Sequence, residues 1–166
     1  VEIAGGRARV SEVLDLAGTE VVRRRFALRD DDLEQIAQWV AESGARWGLA
    51  ADLREPFRLA GYPHNTWALG LDRLLLGVGM AEEGQRRFGD VLPLDDVGSA
   101  EIDLAGRLAE LIDRLETGVR SLLAAGPASE WVAALREIVA SLGDVAPDDA
   151  WQRAQVDREL ATIGEA

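Results

Sequence analysis

Few side chains in this sequence could do chemistry, and most of those are carboxylates and guanidiniums. Asp30-Asp31-Asp32 could hold a cation, but the same run at a helix start meets the positive end of the helix dipole and caps it. Asp148-Asp149, ahead of a later helical stretch, reads the same way. Asp95, Glu101 and Asp103 have the residue types of a metal-dependent nuclease cluster, in which acids hold a divalent ion and water is activated beside it. The lysine that ends such a motif is missing, so no nuclease site is assigned. Arg23-Arg24-Arg25 is the densest basic patch; on a helix three consecutive residues fan over roughly 200°, which suits separate acid pairs better than one ligand. Arg46 and Trp47 sit together in a turn-like stretch, where a guanidinium beside a ring can stack or fix the loop through an ion pair. His64 stands alone before a helix start, with no serine or aspartate arranged as a triad. The expectation is therefore no catalytic, metal or cofactor residue. Arg23, Arg24, Arg25, Arg46 and Trp47 are the candidate contacts for DNA or a partner.

These residues need elements to hold them. Residues 1–3 and 8–10 are expected as two short strands around the turn-like Ala4-Gly5-Gly6-Arg7. Residues 11–16 and 20–26 are expected as short helices. Asp30 is the expected N-cap of a helix over 31–43 that Gly44 stops, with Leu33, Ile36 and Val40 on one face. A short helix over 51–59 should break at Gly61-Tyr62-Pro63. Asn65 or Thr66 should cap a helix running to about Met80, apolar nearly all round and so central and buried. Gly70 and Gly77 each weaken that helix by about 1 kcal/mol relative to alanine, which makes sense where another element packs closely. Residues 84–98 read as a loop. From Ser99 the longest helix carries Leu104, Leu108, Leu111, Leu115, Val119 and Leu122 at steps of three and four. Gly126-Pro127 ends it, and helices over 129–142 and from about Asp148 follow. Of the five tryptophans, Trp39, Trp67, Trp131 and Trp151 fall on helices, mostly in apolar stripes, and are expected in the core. Trp47 alone lies in a loop.

The expected fold is mainly α: one helical domain over 1–166, with a small strand-like or irregular N-terminal edge at 1–29, helices and loops over 30–97, and a three-helix part over 98–166.

Composition narrows function further. The chain has 166 residues, enough to bury a core, with 48% hydrophobic and 29% charged residues. Cysteine is absent and all 18 basic residues are arginine. Without lysine there is neither a P-loop nor a Schiff base, and one histidine cannot make a multi-histidine metal site. No apolar run approaches a membrane span. The formal net charge of −12 opposes non-specific binding to DNA or anionic membranes, so a nucleic-acid contact must come from a few arginines, or the domain lies off the DNA path. The start lacks an initiator methionine and already looks ordered, so a domain cut from a longer protein is expected.

Several stretches together resemble one family. Arg24-Arg25-Phe26-Ala27-Leu28 precedes the acidic helix start. Then come Gln38-Trp39-Val40-Ala41-Glu42-Ser43-Gly44-Ala45-Arg46-Trp47-Gly48-Leu49, and His64-Asn65-Thr66-Trp67 leading into Gly70-Leu71-Asp72-Arg73-Leu74-Leu75-Leu76-Gly77 and Met80. Val91-Leu92-Pro93-Leu94-Asp95 follows. In order and spacing over about residues 20–115 these resemble RecC, the gamma subunit of bacterial exodeoxyribonuclease V (RecBCD). Ala45 departs from the branched apolar residue expected there, and Leu94 from an aromatic. RecB-like and AddB-like subunits carry weaker versions of the first block, and an independent acidic helical module that docks partner helices is the other alternative. The resemblance implies a non-catalytic segment, similar to the helical 2B insertion of superfamily 1 helicases. It would belong to a cytoplasmic complex that unwinds and degrades double-strand DNA ends for recombinational repair. RecB-like and RecD-like partners would use ATP and magnesium, and none of the family's Chi-reading residues carries over.

Overall fold

In the computed structural model, which describes residues 2–79, 91–94 and 101–164, the chain folds into helices around one apolar core. Eight α-helices occur among the described residues: α1 Glu2–Gly5, α2 Val10–Ala17, α3 Glu20–Arg25, α4 Asp30–Ser43, α5 Trp67–Gly79, α6 Ile102–Ala124, α7 Ala128–Leu142 and α8 Ala150–Gly164. A 3-10 turn, Asp52–Phe57, stands between α4 and α5, and a shorter one, Pro147–Asp149, leads into α8. No strand forms among the described residues, and no helix there is long and apolar enough to cross a membrane.

The centre is α6. Its steps of three and four bury Leu104, Leu108, Leu111, Leu115, Val119 and Leu122, as the sequence period predicts. Against it pack α5, α7 and the short α1, while α4 lies on α5 and α2 on α4. Ile36, Trp39 and Val40 of α4 and Trp67 and Leu74 of α5 complete the core. Helix α8 packs chiefly on α7 and the turn that precedes it, and among the described residues Leu160 is its one buried side chain.

Helix ends follow local chemistry. Asp30 is not the cap of α4: it is already helical, and the free N–H of Arg29 donates to Asp32 Oδ2 at 2.9 Å, one turn in. Gly44, at φ 78°, ends α4 in the left-handed conformation that glycine adopts without strain. Thr66 caps α5, its Oγ1 accepting the Leu69 N–H at 3.2 Å. The longest helix begins at Ile102 in the described structure, while its expected start at Ser99, like Met80 and most of the expected loop over 84–98, lies outside the described residues.

Three further expectations fail. The two N-terminal strands are absent: Glu2–Gly5 is helical, and Ala8 at φ 47° breaks the extended run. A two-stranded hairpin alone would bury little, whereas α1 lies on α6 and Ile3 packs against the core. Residues 7–10 pair instead with residues 46–48. Helix α5 is not buried all round: Trp67, Gly70, Leu74 and Gly77 form its inner stripe, and Leu75 is 43% exposed. Trp131 and Trp151, 38% and 60% exposed, lie outside the core, because among the described residues no further element covers the outer side of the α7–α8 hairpin.

Candidate functional site

The Trp47 loop lies where the N-terminal segment, the end of α4, the 3-10 turn and the start of α5 meet. The Arg46 and Trp47 N–H groups both donate to the Asn65 carbonyl, at 2.9 and 3.2 Å. Gly48 N–H donates to the Arg7 carbonyl at 2.7 Å, and the Gly48 carbonyl accepts the Trp67 N–H at 2.9 Å. Trp67 Nε1 donates to the Ala8 carbonyl at 3.2 Å, tying the N-terminal segment to the core.

The guanidinium that fixes this loop is Arg54, not Arg46. Arg54 is only 3% exposed. Its Nη1 donates to the carbonyls of Tyr62 and His64, at 3.0 and 2.7 Å, and its Nη2 donates to the Trp47 carbonyl. Its cation sits over the Trp47 ring, 4.1 Å from the centroid. Burial pulls the Arg54 pKa below the ordinary arginine value, with no carboxylate to offset it among the described residues. Phe57 meets Trp47 edge-on at 5.4 Å, and Arg7 lies 5.6 Å from Trp47 and 5.1 Å from Phe57. The loop is close-packed: at Gly48, φ 75°, a Cβ would fall 2.5 Å from Arg54 Nε.

Other arginines hold the chain in the same way. Arg73 Nη1 donates to Ser43 O at 2.6 Å and its Nε to Leu92 O at 2.9 Å. Arg107 donates to the carbonyls of Phe26 and Ala27 and lies 3.5 Å from Asp32. Arg114 Nη1 donates to Ser141 O at 2.7 Å and lies over Phe26 at 5.5 Å.

The arginine triplet fans out as helix geometry requires. Arg23 pairs with Asp30 at 2.7 Å and donates to Leu28 O at 3.2 Å, while Arg24 reaches Asp144 at 3.4 Å. Arg25 is exposed, with no ion pair among the described residues. Arg46 is exposed, and its Nη1 donates to the Ala45 carbonyl at 3.1 Å. Trp47 is half-buried. His64 is exposed and serves the loop through its carbonyl.

The acidic run is divided between arginines. Asp30 goes to Arg23 and Asp32 to Arg29 and Arg107. Burial alone would raise the Asp32 pKa, but the Arg29 N–H and guanidinium together with Arg107 outweigh it and hold the carboxyl below the ordinary range. Asp103 pairs with Arg107 at 3.1 Å, while Asp95 lies outside the described residues. Among the described residues no group of three acids or histidines is placed to hold a metal ion.

Arg54 and Arg107 stand outside any motif, and Arg73, although inside the Gly70–Gly77 block, has no neighbours in sequence that name the carbonyls it reaches.

The sequence profile of the RecBCD enzyme subunit RecC fourth domain matches residues 1–166. RecBCD enzyme subunit RecC of Mycobacterium tuberculosis (strain CDC 1551 / Oshkosh) is 47% identical over 161 residues, covering 97% of this chain and 14% of that protein. The subunit from Mycolicibacterium smegmatis is 42% identical over 161 residues, 97% of this chain and 15% of its own. That of Escherichia coli (strain K12) is 35% identical over 128 residues, 77% of this chain and 11% of its own.

Proposed function

The chain belongs to the RecC fourth-domain family, and from that premise we propose that it is a non-catalytic structural domain of a RecC-like subunit. That subunit works in a cytoplasmic exodeoxyribonuclease V, which processes double-strand DNA ends for recombinational repair. ATP and magnesium chemistry falls to RecB-like and RecD-like partners. The chain spans 14% of the M. tuberculosis relative, so the activity is that of a much larger assembly.

The observation that carries this reading is the direction of the arginines. Arg54, Arg73, Arg107 and Arg114 donate to backbone carbonyls from other parts of the chain. Each such bond holds two segments in fixed relation, and charged donors make stronger hydrogen bonds than neutral ones. Guanidiniums used in this way serve rigidity rather than turnover.

The test is to purify the full-length parent through a tag, with and without this segment. Co-purification of RecB-like and RecD-like subunits with ATP-dependent exonuclease activity, altered by the deletion, supports the reading. A parent that comes down alone and inactive points to the acidic interaction module instead.

A further inference from the structure

One edge of the domain carries exposed arginines that make no ion pair among the described residues. Residues 7–10 and 46–48 lie side by side, tied by Gly48 N–H to the Arg7 carbonyl at 2.7 Å and Val10 N–H to the Arg46 carbonyl at 3.1 Å. Ala8 and Ala45, 5% and 1% exposed, face inward. Their neighbours Arg7, Arg9 and Arg46 are all exposed. None of the three makes an ion pair among the described residues, where Arg23, Arg24, Arg29, Arg107, Arg114, Arg120 and Arg136 do. Carboxylates are not scarce: the chain has 30 acids against 18 basic residues. The acid beside this edge, Glu12, accepts the Arg9 backbone N–H at 2.8 Å.

We propose that Arg7, Arg9 and Arg46 are a contact for the phosphodiester backbone of DNA; this rests on the RecC reading above. Guanidiniums stay charged at any relevant pH and match phosphate oxygens with a planar fork. Like charges carried on two adjacent backbone segments favour an anion that lies across them. The loop beneath is braced by Arg54 and Asn65, so the cations are held ready. Trp47 is half-buried and already in contact with Arg7, Arg54 and Phe57, which disfavours it as a stacking platform for a base. The contact is therefore to backbone and independent of sequence. A regular polyanion suits a set of adjacent cations better than scattered carboxylates on a protein. The net charge of −12 opposes DNA in general, so a contact needs a local set of cations without acid partners.

The experiment uses the full-length parent assembled with its RecB-like and RecD-like partners. Binding to a blunt duplex end is measured without ATP over a range of salt. The triple variant Arg7→Gln/Arg9→Gln/Arg46→Gln should bind about tenfold more weakly at physiological salt. Its log–log salt slope should fall by roughly one for each arginine lost. The double variant Arg9→Gln/Arg46→Gln keeps the Arg7–Trp47 contact and should give a smaller change of the same kind. The control pair Arg153→Gln/Arg158→Gln on α8 should change neither quantity. Unaltered affinity and slope in both test variants overturn the proposal, as does an equal loss in the control. Normal DNA binding with loss of a partner subunit also overturns it and assigns the edge to an acidic protein surface. If the unsubstituted parent neither assembles nor binds DNA ends, the RecC reading itself fails, a result visible before any variant is made.

Discussion

The guanidinium of Arg54 lies over the ring of Trp47, 4.1 Å from its centroid, and donates to the carbonyl of that same residue. One side chain thus fixes both the ring and the backbone of the loop. Arg54→Met keeps the volume but leaves the carbonyls of Trp47, Tyr62 and His64 without their donor. These three hydrogen bonds are part-buried, and one to a charged donor contributes about 1.5–3 kcal/mol, so urea unfolding of the domain should show a loss of about 2 kcal/mol or more. Gly48→Ala, which forces a Cβ onto Arg54 Nε, should be strongly non-additive with it, because both disturb one contact. Additive losses would show that the ring and the guanidinium act separately.

Helices α6 and α7 approach closely at Gly118, where an added Cβ would lie 2.5 Å from Ile138 Cγ1. Gly118→Ala gains up to about 1 kcal/mol of helix propensity, but the clash should outweigh it and leave a net loss of about 1–3 kcal/mol. In an Ile138→Ala background the same substitution should become neutral or stabilising. Thermal melts of the four chains of this cycle decide it; a penalty that persists without Ile138 would place the strain elsewhere.

Asp32 and Asp52 both titrate below the ordinary aspartate value of 3.8, Asp32 for the reasons given above and Asp52 chiefly through its hydrogen bonds from Arg120. The unfolded chain therefore binds their protons first on acidification. Their stabilisation is complete at neutral pH, begins to fall near the unfolded value, and is lost as pH drops through the lower folded values. Asp32 is 6% exposed and caps α4, so Asp32→Ala should cost about 2 kcal/mol at neutral pH and make the acid-side loss shallower. The Asp52 side chain is 63% exposed, so Asp52→Ala should cost less than about 1 kcal/mol. Denaturant titrations across the acid range check both, and equal costs would contradict the burial argument.

Tryptophan emission should divide into two classes. Trp39 and Trp67 are 2% and 1% exposed, whereas Trp131 and Trp151 are 38% and 60% exposed. Acrylamide should quench the second pair strongly, and Trp131→Phe/Trp151→Phe should shift the emission to the blue and reduce its quenching, half-buried Trp47 supplying what quenching remains, with little change in stability. A large loss of stability in that double variant would mean that the rings are packed.

Local chemistry was legible in the sequence wherever one residue type decides the outcome. Gly44 ends α4, Thr66 caps α5, and the leucine period of α6 marks its buried face. Gly70 was expected at a close approach, and a Cβ there would lie 2.9 Å from Ser43 Oγ. Where two distant segments decide, linear pattern fails. Residues 8–10 have strand-like composition, yet their partner is the 46–48 segment, some 40 positions on. Arg46 drew notice because Trp47 adjoins it, but Arg54, seven positions on, reaches the ring. The apolar stripes of α7 and α8 have the same period as buried ones, and periodicity cannot say whether a further layer covers them.

Helix α8 rests chiefly on α7, with Leu160 its one buried side chain among the described residues. The stability of a fold is not shared evenly, and a segment held by so little apolar contact opens without waiting for the rest. Amide protons of α8 should therefore exchange with solvent well before those of α6, through a partial opening that leaves the central helices intact. The domain then behaves as two cooperative units of unequal strength: a firm body around α6 and a detachable flap at its C-terminal side.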